Sequence, residues 1–154
     1  MKTKRLKLSA ASSFLLQLCI VLFIAGCEEE TNQSNSNLQL FGTWRFVLFG
    51  ENDGSTVNVQ SNNCDECYIL TFKNDSTIEG KTVLNILGKD FTLSGNQLSF
   101  PNGVLATEIL EEGMPLQFTN ALKNVQSFKI EVSKLKLFYS NDEFLLFDSK
   151  AYLP

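Results

Sequence analysis

From Phe128 to Phe147 the chain reads FKIEVSKLKLFYSNDEFLLF. Phe128 and Ile130 fall in step, as do Leu135, Leu137 and Tyr139, and then Phe144 and Leu146. Successive side chains of an extended strand point to opposite faces, so a period of two puts each set on one face of a half-buried strand. Asn141-Asp142 interrupts the run with residues that form tight turns. The stretch therefore reads as antiparallel hairpins.

The same period recurs upstream. Trp44, Phe46 and Leu48 share one face, as do Tyr68, Leu70 and Phe72, and the pattern continues through Phe91 and Leu93 and through Leu98 and Phe100. Turn signals at Asn52-Asp53-Gly54, Asn74-Asp75-Ser76 and Ser94-Gly95-Asn96 punctuate these runs. One segment departs from the rhythm: Met114, Phe118, Ala121, Leu122 and Val125 recur at helical spacing, with Pro115 suited to a first turn and Lys123 to a last. A single helix is predicted from Pro115 to Lys123 or Asn124. Together these features predict a mostly β fold, a small antiparallel barrel or strongly curved sheet of about seven to nine strands with one amphipathic α-helix over an open end or edge.

The N-terminal segment is of another kind. Lys2, Lys4, Arg5 and Lys7 form a basic start with no acidic residue before position 27, and Phe14 to Gly26 follow as an apolar run broken only by Gln17. That is the order of a secretory signal, and the run is shorter than the roughly 17 to 25 residues a membrane-spanning helix needs. It closes on Ile24-Ala25-Gly26-Cys27, which resembles the lipobox of bacterial lipoproteins. That resemblance implies lipid on the Cys27 sulfur and cleavage before it, and Cys19 would leave with the leader. Several buried acyl chains, at about 0.8 kcal/mol per CH2, make release into water negligible.

Glu28, Glu29 and Glu30 resemble the acidic signal that carries some lipoproteins to the outer face of the outer membrane; the competing reading is the start of a solvated tether in a periplasm-facing protein. Thr31 to Asn37 has no apolar side chain with which to offset the entropy of ordering. The expected organisation is a signal peptide over 1–26, a lipidated flexible tether over 27–37 and a β-domain over 38–154.

Removing the four leader cations changes the formal charge from −4 to −8 and leaves a domain rich in Phe but poor in basic residues. Phosphate-backbone binding needs basic surface, so nucleic acid is excluded as an expected partner.

Phe41-Gly42-Thr43-Trp44 is similar to the opening Gly-x-Trp strand of the META domain family, a feature shared with lipocalin-like barrels. Gly80, Asn85, Leu87 and Phe91 resemble the central pattern of that family, and Gly95-Asn96-Gln97-Leu98 its next hairpin. Phe118, Leu122, Val125 and Phe128 track its helix-to-strand segment, and Leu135-Lys136-Leu137 and Leu145-Leu146-Phe147 its last two strands. The resemblance runs from about Leu40 to Phe147 and implies a compact β-fold with one helix, in a family without a shared established enzymatic activity. Leu84 stands where the family usually has a cysteine and none follows Ala106-Thr107, so no thiol function is carried over.

Chemistry-bearing groups are sparse. The chain has no histidine, the commonest general base and metal ligand at neutral pH. Gly50, Gly54 and Gly80 stand apart and make no phosphate loop. Cys64-Asp65-Glu66-Cys67 has three readings. A disulfide closing a turn suits an exported chain; a redox dithiol is usually placed at a helix N-terminus, whereas here a strand follows; a closed zinc site wants four ligands.

Glu108, Glu111, Glu112, Asp142 and Glu143 read as solvated surface. Asp75-Ser76-Thr77 resembles a short O-glycosylation signal, and its plainer reading is a hairpin turn. The expected function is a non-enzymatic membrane-anchored envelope protein, without cofactor or metal, whose β-domain binds a protein, a glycan or a small apolar ligand at residues the sequence does not identify. The rival readings are a structural or stress-related envelope component and a thiol-disulfide protein using Cys64 and Cys67.

Overall fold

A computed structural model describes residues 39–58 and 64–150. The segments expected as leader and tether, with Cys27 and the three glutamates, lie outside the described residues. Ten short strands and one complete helix lie among the described residues: β1 (Gly42–Glu51), β2 (Thr56–Asn58), β3 (Ile69–Phe72), β4 (Ile78–Lys81), β5 (Ile86–Leu87), β6 (Thr92–Ser94), β7 (Gln97–Ser99), α1 (Met114–Lys123), β8 (Ser127–Glu131), β9 (Lys134–Phe138) and β10 (Glu143–Ser149). All pairings are antiparallel, in the order β5-β4-β3-β1-β10-β9-β8-β7-β6, and β2 flanks β1 off that path.

The two ends of this sheet belong to one stretch of chain. β5 pairs with β4, a bridge between Thr77 and Asp90 continues that pairing, and the Phe91 amide donates to the Ser76 carbonyl at 2.9 Å before β6 turns to β7. The sheet therefore curls back toward itself as a partly closed barrel, the architecture predicted from the alternation.

Its inside is filled by the expected faces. Trp44, Phe46, Leu70, Phe72, Leu98, Phe128, Leu135 and Leu137 are all buried. The Phe46 ring lies 4.8 Å from Phe118 of the helix and 5.5 Å from Phe147, and Phe72 meets Phe91 edge-on at 5.4 Å. Each such side chain contributes about 1.5–3 kcal/mol on burial. Trp44 keeps its polar edge satisfied by donating Nε1–H to the Leu40 carbonyl at 2.8 Å.

The helix starts at Met114 after Gly113, whose φ of 65° a β-carbon would strain, and Pro115 occupies its first turn. Phe118, Thr119, Ala121 and Leu122 are its buried side.

Two local readings are corrected. The β1–β10 register shifts between Phe46 and Leu48, so Val47 is an extra residue that takes Leu48 off the Trp44–Phe46 face and brings Phe49, opposite Leu145, toward the core. In β10 the fully buried core residues are Leu145 and Phe147, not Phe144 and Leu146. Phe144 is buried on the other face, where its ring lies over Gly50 and under the Lys136 ammonium, 4.8 Å from the ring centre. A continuous run of four apolar residues has no period of its own, and only the partner strand decides which pair points inward.

Candidate functional site

Cys64 and Cys67 lie at disulfide-bonding distance with their Cα atoms 5.4 Å apart, as expected for a short closed turn. The Cys67 amide donates to the Cys64 carbonyl at 3.2 Å, and β3 follows rather than a helix. Arg45 Nη2 donates to the Asp65 carbonyl at 2.7 Å and so pins the turn to β1. Tyr68, next after the turn, has a φ of 60°, a left-handed conformation uncommon for a bulky side chain. Among the described residues no group of three or more His, Cys, Asp or Glu is placed to hold a metal ion.

Asp75, Ser76 and Thr77 form the β3–β4 turn: Asp75 Oδ1 accepts from the Thr77 amide at 3.0 Å and from its hydroxyl at 2.6 Å. Ser76 is exposed.

The surface reading of Glu111 is corrected, since this carboxylate is 7% exposed. Thr82 Oγ1 donates to it at 2.6 and 2.8 Å, the Leu84 amide at 2.8 Å and Asn85 Nδ2 at 2.8 Å. Burial alone raises the pKa of a carboxyl group; here the donors from Thr82, Asn85 and Leu84 outweigh it and hold Glu111 below its ordinary value. The charge is held by neutral donors, as in an anion nest.

Asn85 extends the network. Its Nδ2 also reaches the Ile109 carbonyl at 2.7 Å, and its Oδ1 accepts from the Ile109 amide at 2.7 Å and from Thr107 Oγ1 at 3.1 Å. Thr107 Oγ1 in turn accepts from the Ile86 amide at 2.9 Å. Two segments more than 20 residues apart, Thr82–Ile86 and Thr107–Glu111, are thereby stapled side by side.

That staple presents apolar side chains to solvent. Val83 is 44% exposed, Leu84 53%, Ile86 56%, Ile109 53% and Leu110 83%. Exposed aliphatics occurring singly are ordinary; five on two mutually bonded loops form a patch. Glu108 and Glu112 flank it, and neither loop from Thr82 to Leu87 nor from Leu105 to Gly113 carries a Lys or Arg. Tyr68 is 4% exposed, and its hydroxyl has no hydrogen-bond partner among the described residues. Burial raises the Tyr68 pKa to about 12, with the Glu111 charge adding to it, so it remains a neutral phenol.

A second feature lies at the other end of β1, where β2 replaces β3 as its neighbour. Here α1, β1, β2 and the β9–β10 hairpin enclose a groove of about 520 Å³. Phe49, Val57, Ala121 and Tyr139 supply its apolar lining, Gln117, Asn120 and Asn124 of the helix its amides, and Glu51 and Glu143 its only charges among the described residues. Of the carboxylates noted in the sequence, Glu143 thus lies at the groove and Glu111 at the patch. Neither was distinguishable from a surface acid, because each gains its role from residues remote in the chain.

No family model and no curated protein matches the chain in sequence. In fold it is similar to a DUF4847 family protein from Bacteroides vulgatus, with a TM-score of 0.59 at 14% identity over 74% of this chain and 96% of that one. It is likewise similar to a protein from Burkholderia xenovorans, with a TM-score of 0.58 at 20% identity over 82% of this chain and 93% of that one. At these identities the likeness is one of fold: a curled antiparallel sheet with a single helix.

Proposed function

We propose that this chain is a non-enzymatic envelope lipoprotein, anchored through Cys27 at the outer membrane and displayed on the cell surface, whose β-domain docks a protein partner on the Val83–Ile86 and Ile109–Leu110 patch. The observation that carries the docking reading is the patch, in which a buried carboxylate and the side chain of Asn85 bond the backbone from which the exposed aliphatic side chains project. Nothing in folding alone favours that arrangement, since exposure of large apolar groups forgoes about 25 cal/mol per Å² of surface. A pre-ordered apolar face reduces the entropy lost on association. The acidic flank disfavours a bilayer with anionic headgroups and suits a protein with an apolar centre and a cationic rim. The anchor and address rest on the sequence signals at residues 2–30.

The META-like assignment belongs to the same proposal. Two of the positions that carry the resemblance have structural tasks: a β-carbon on Gly80 would run into the Ile69 carbonyl, and Asn85 is the centre of the staple.

A photo-crosslinking residue at Leu110 in intact cells tests the docking. An adduct of one discrete mass is expected from position 110, lost when Ile109 is changed to Glu, and absent from position 132 in the β8–β9 turn, where the side chain is fully exposed. An adduct of twice the chain's mass would make the partner a second copy. Equal, diffuse labelling from both positions would remove the docking reading in favour of a structural envelope component.

A second reading as a thiol-disulfide protein draws on one observation, the Arg45 guanidinium held against the Cys64–Cys67 turn. Burial of Cys67 at 4% exposure weighs against it.

A further inference from the structure

We propose that the groove between α1, β2 and the β9–β10 hairpin binds a small organic cation, an ammonium group on an apolar or aromatic body. Its volume of about 520 Å³ is that of a small-molecule site rather than of a protein footprint. The site is separate from the aliphatic patch, and the inference is independent of what docks there.

The charge pattern selects the ligand. Glu51 and Glu143 are direct partners across the β1–β10 pair. Like charges at such positions destabilise a sheet. Among the described residues neither is in an ion pair: the four that form use Glu66, Glu79, Glu131 and Asp148. Among the described residues no Lys or Arg lines the groove.

An anionic ligand would meet two carboxylates, and a neutral one would leave their repulsion unrelieved. A cation relieves it. Tyr139 links the two acids to the aromatic lining: burial, then the charge and hydrogen bond of Glu143, then the charge of Glu51 raise its pKa, so the fields of both carboxylates reach this ring. Phe49 and Tyr139 then provide π faces for the cation or its apolar body, an attraction that grows where water is excluded.

The test uses the intact chain and three probes of matched size: phenethylammonium, 2-phenylethanol and 3-phenylpropionate, titrated by calorimetry at low ionic strength. The amine is expected to bind about tenfold more tightly than the alcohol, and the carboxylate not measurably. In the Glu51→Gln/Glu143→Gln variant the amine and the alcohol should become equal, with a melting temperature unchanged or raised by loss of the repulsion. Should the double variant not fold, the exposed Glu51→Gln alone must still reduce the amine's advantage. An alcohol bound as well as the amine, or an advantage that survives the double substitution, overturns the inference while the groove remains a site. Failure of all three probes overturns it as well, and leaves the patch reading to its own crosslinking result.

Discussion

Glu111→Gln is the most informative single perturbation, because it keeps the side chain's shape and removes its charge. Three donors converge on the native carboxylate, from Thr82, Leu84 and Asn85, at 2.6–2.8 Å. A carboxylate accepts from all of them; a carboxamide has one oxygen and must turn its NH2 toward at least one donor. Exchanging charge-assisted bonds for neutral ones costs about 0.5–1.5 kcal/mol each, and one donor left facing a donor about 1–3 kcal/mol. Relief from desolvating a charge returns part of this. A net loss of about 2–4 kcal/mol results.

With a urea dependence of about 2 kcal/mol per molar, the unfolding midpoint at pH 7 should fall by about 1–2 M, read on the fluorescence of the single Trp44 in the intact chain. The pH profile supplies the second check. The folded pKa of Glu111 lies below its ordinary value, so near pH 4 the unfolded chain holds more protons than the folded one. Native stability from this group is therefore present above about pH 4.5 and lost as pH falls through the lowered folded value. The gap between native chain and variant should narrow over the same interval. A variant within about 0.5 kcal/mol of the native chain at pH 7, or a gap indifferent to acid, would refute the staple as the element that orders the aliphatic patch.

Four further outcomes are expected. Gly80→Ala should destabilise by about 2 kcal/mol or more in the same urea assay, because its β-carbon meets the backbone carbonyl of Ile69, which cannot swing aside as a side chain can. Val132→Gly should stabilise by about 0.5–1 kcal/mol: Val132 sits at a φ of 57° with its side chain fully in water, so strain is relieved and no packing is lost. Tyr68→Phe should be neutral or stabilising by about 1 kcal/mol, as it deletes a buried hydroxyl without a partner; a clear loss would reveal a bridging water. Cys27→Ser should abolish incorporation of labelled fatty acid and shift the chain from the membrane to the aqueous fraction; labelling that persists would place the lipid elsewhere.

The amino-acid sequence by itself determined the elements whose causes are local. Alternation over Tyr68–Phe72 and Leu135–Tyr139 needs only the geometry of an extended chain, and a helix over Met114–Lys123 only the spacing of Phe118, Ala121 and Leu122 behind a proline. The Cys64–Cys67 closure, three residues apart, is local in the same sense.

Only the tertiary structure decided matters that depend on a distant partner. The extra residue at Val47 and the inward turn of Leu145 and Phe147 follow from the pairing of the first strand with the last. Burial of Glu111 requires donors 26 to 29 residues away, and the opposition of Glu51 to Glu143 spans most of the chain. A carboxylate's hydration is so favourable that a sequence read alone leaves it in water. Preassembled donors, brought together by burial of the aromatic core, are what make an interior site for Glu111 tolerable and turn two ordinary loops into a candidate docking face.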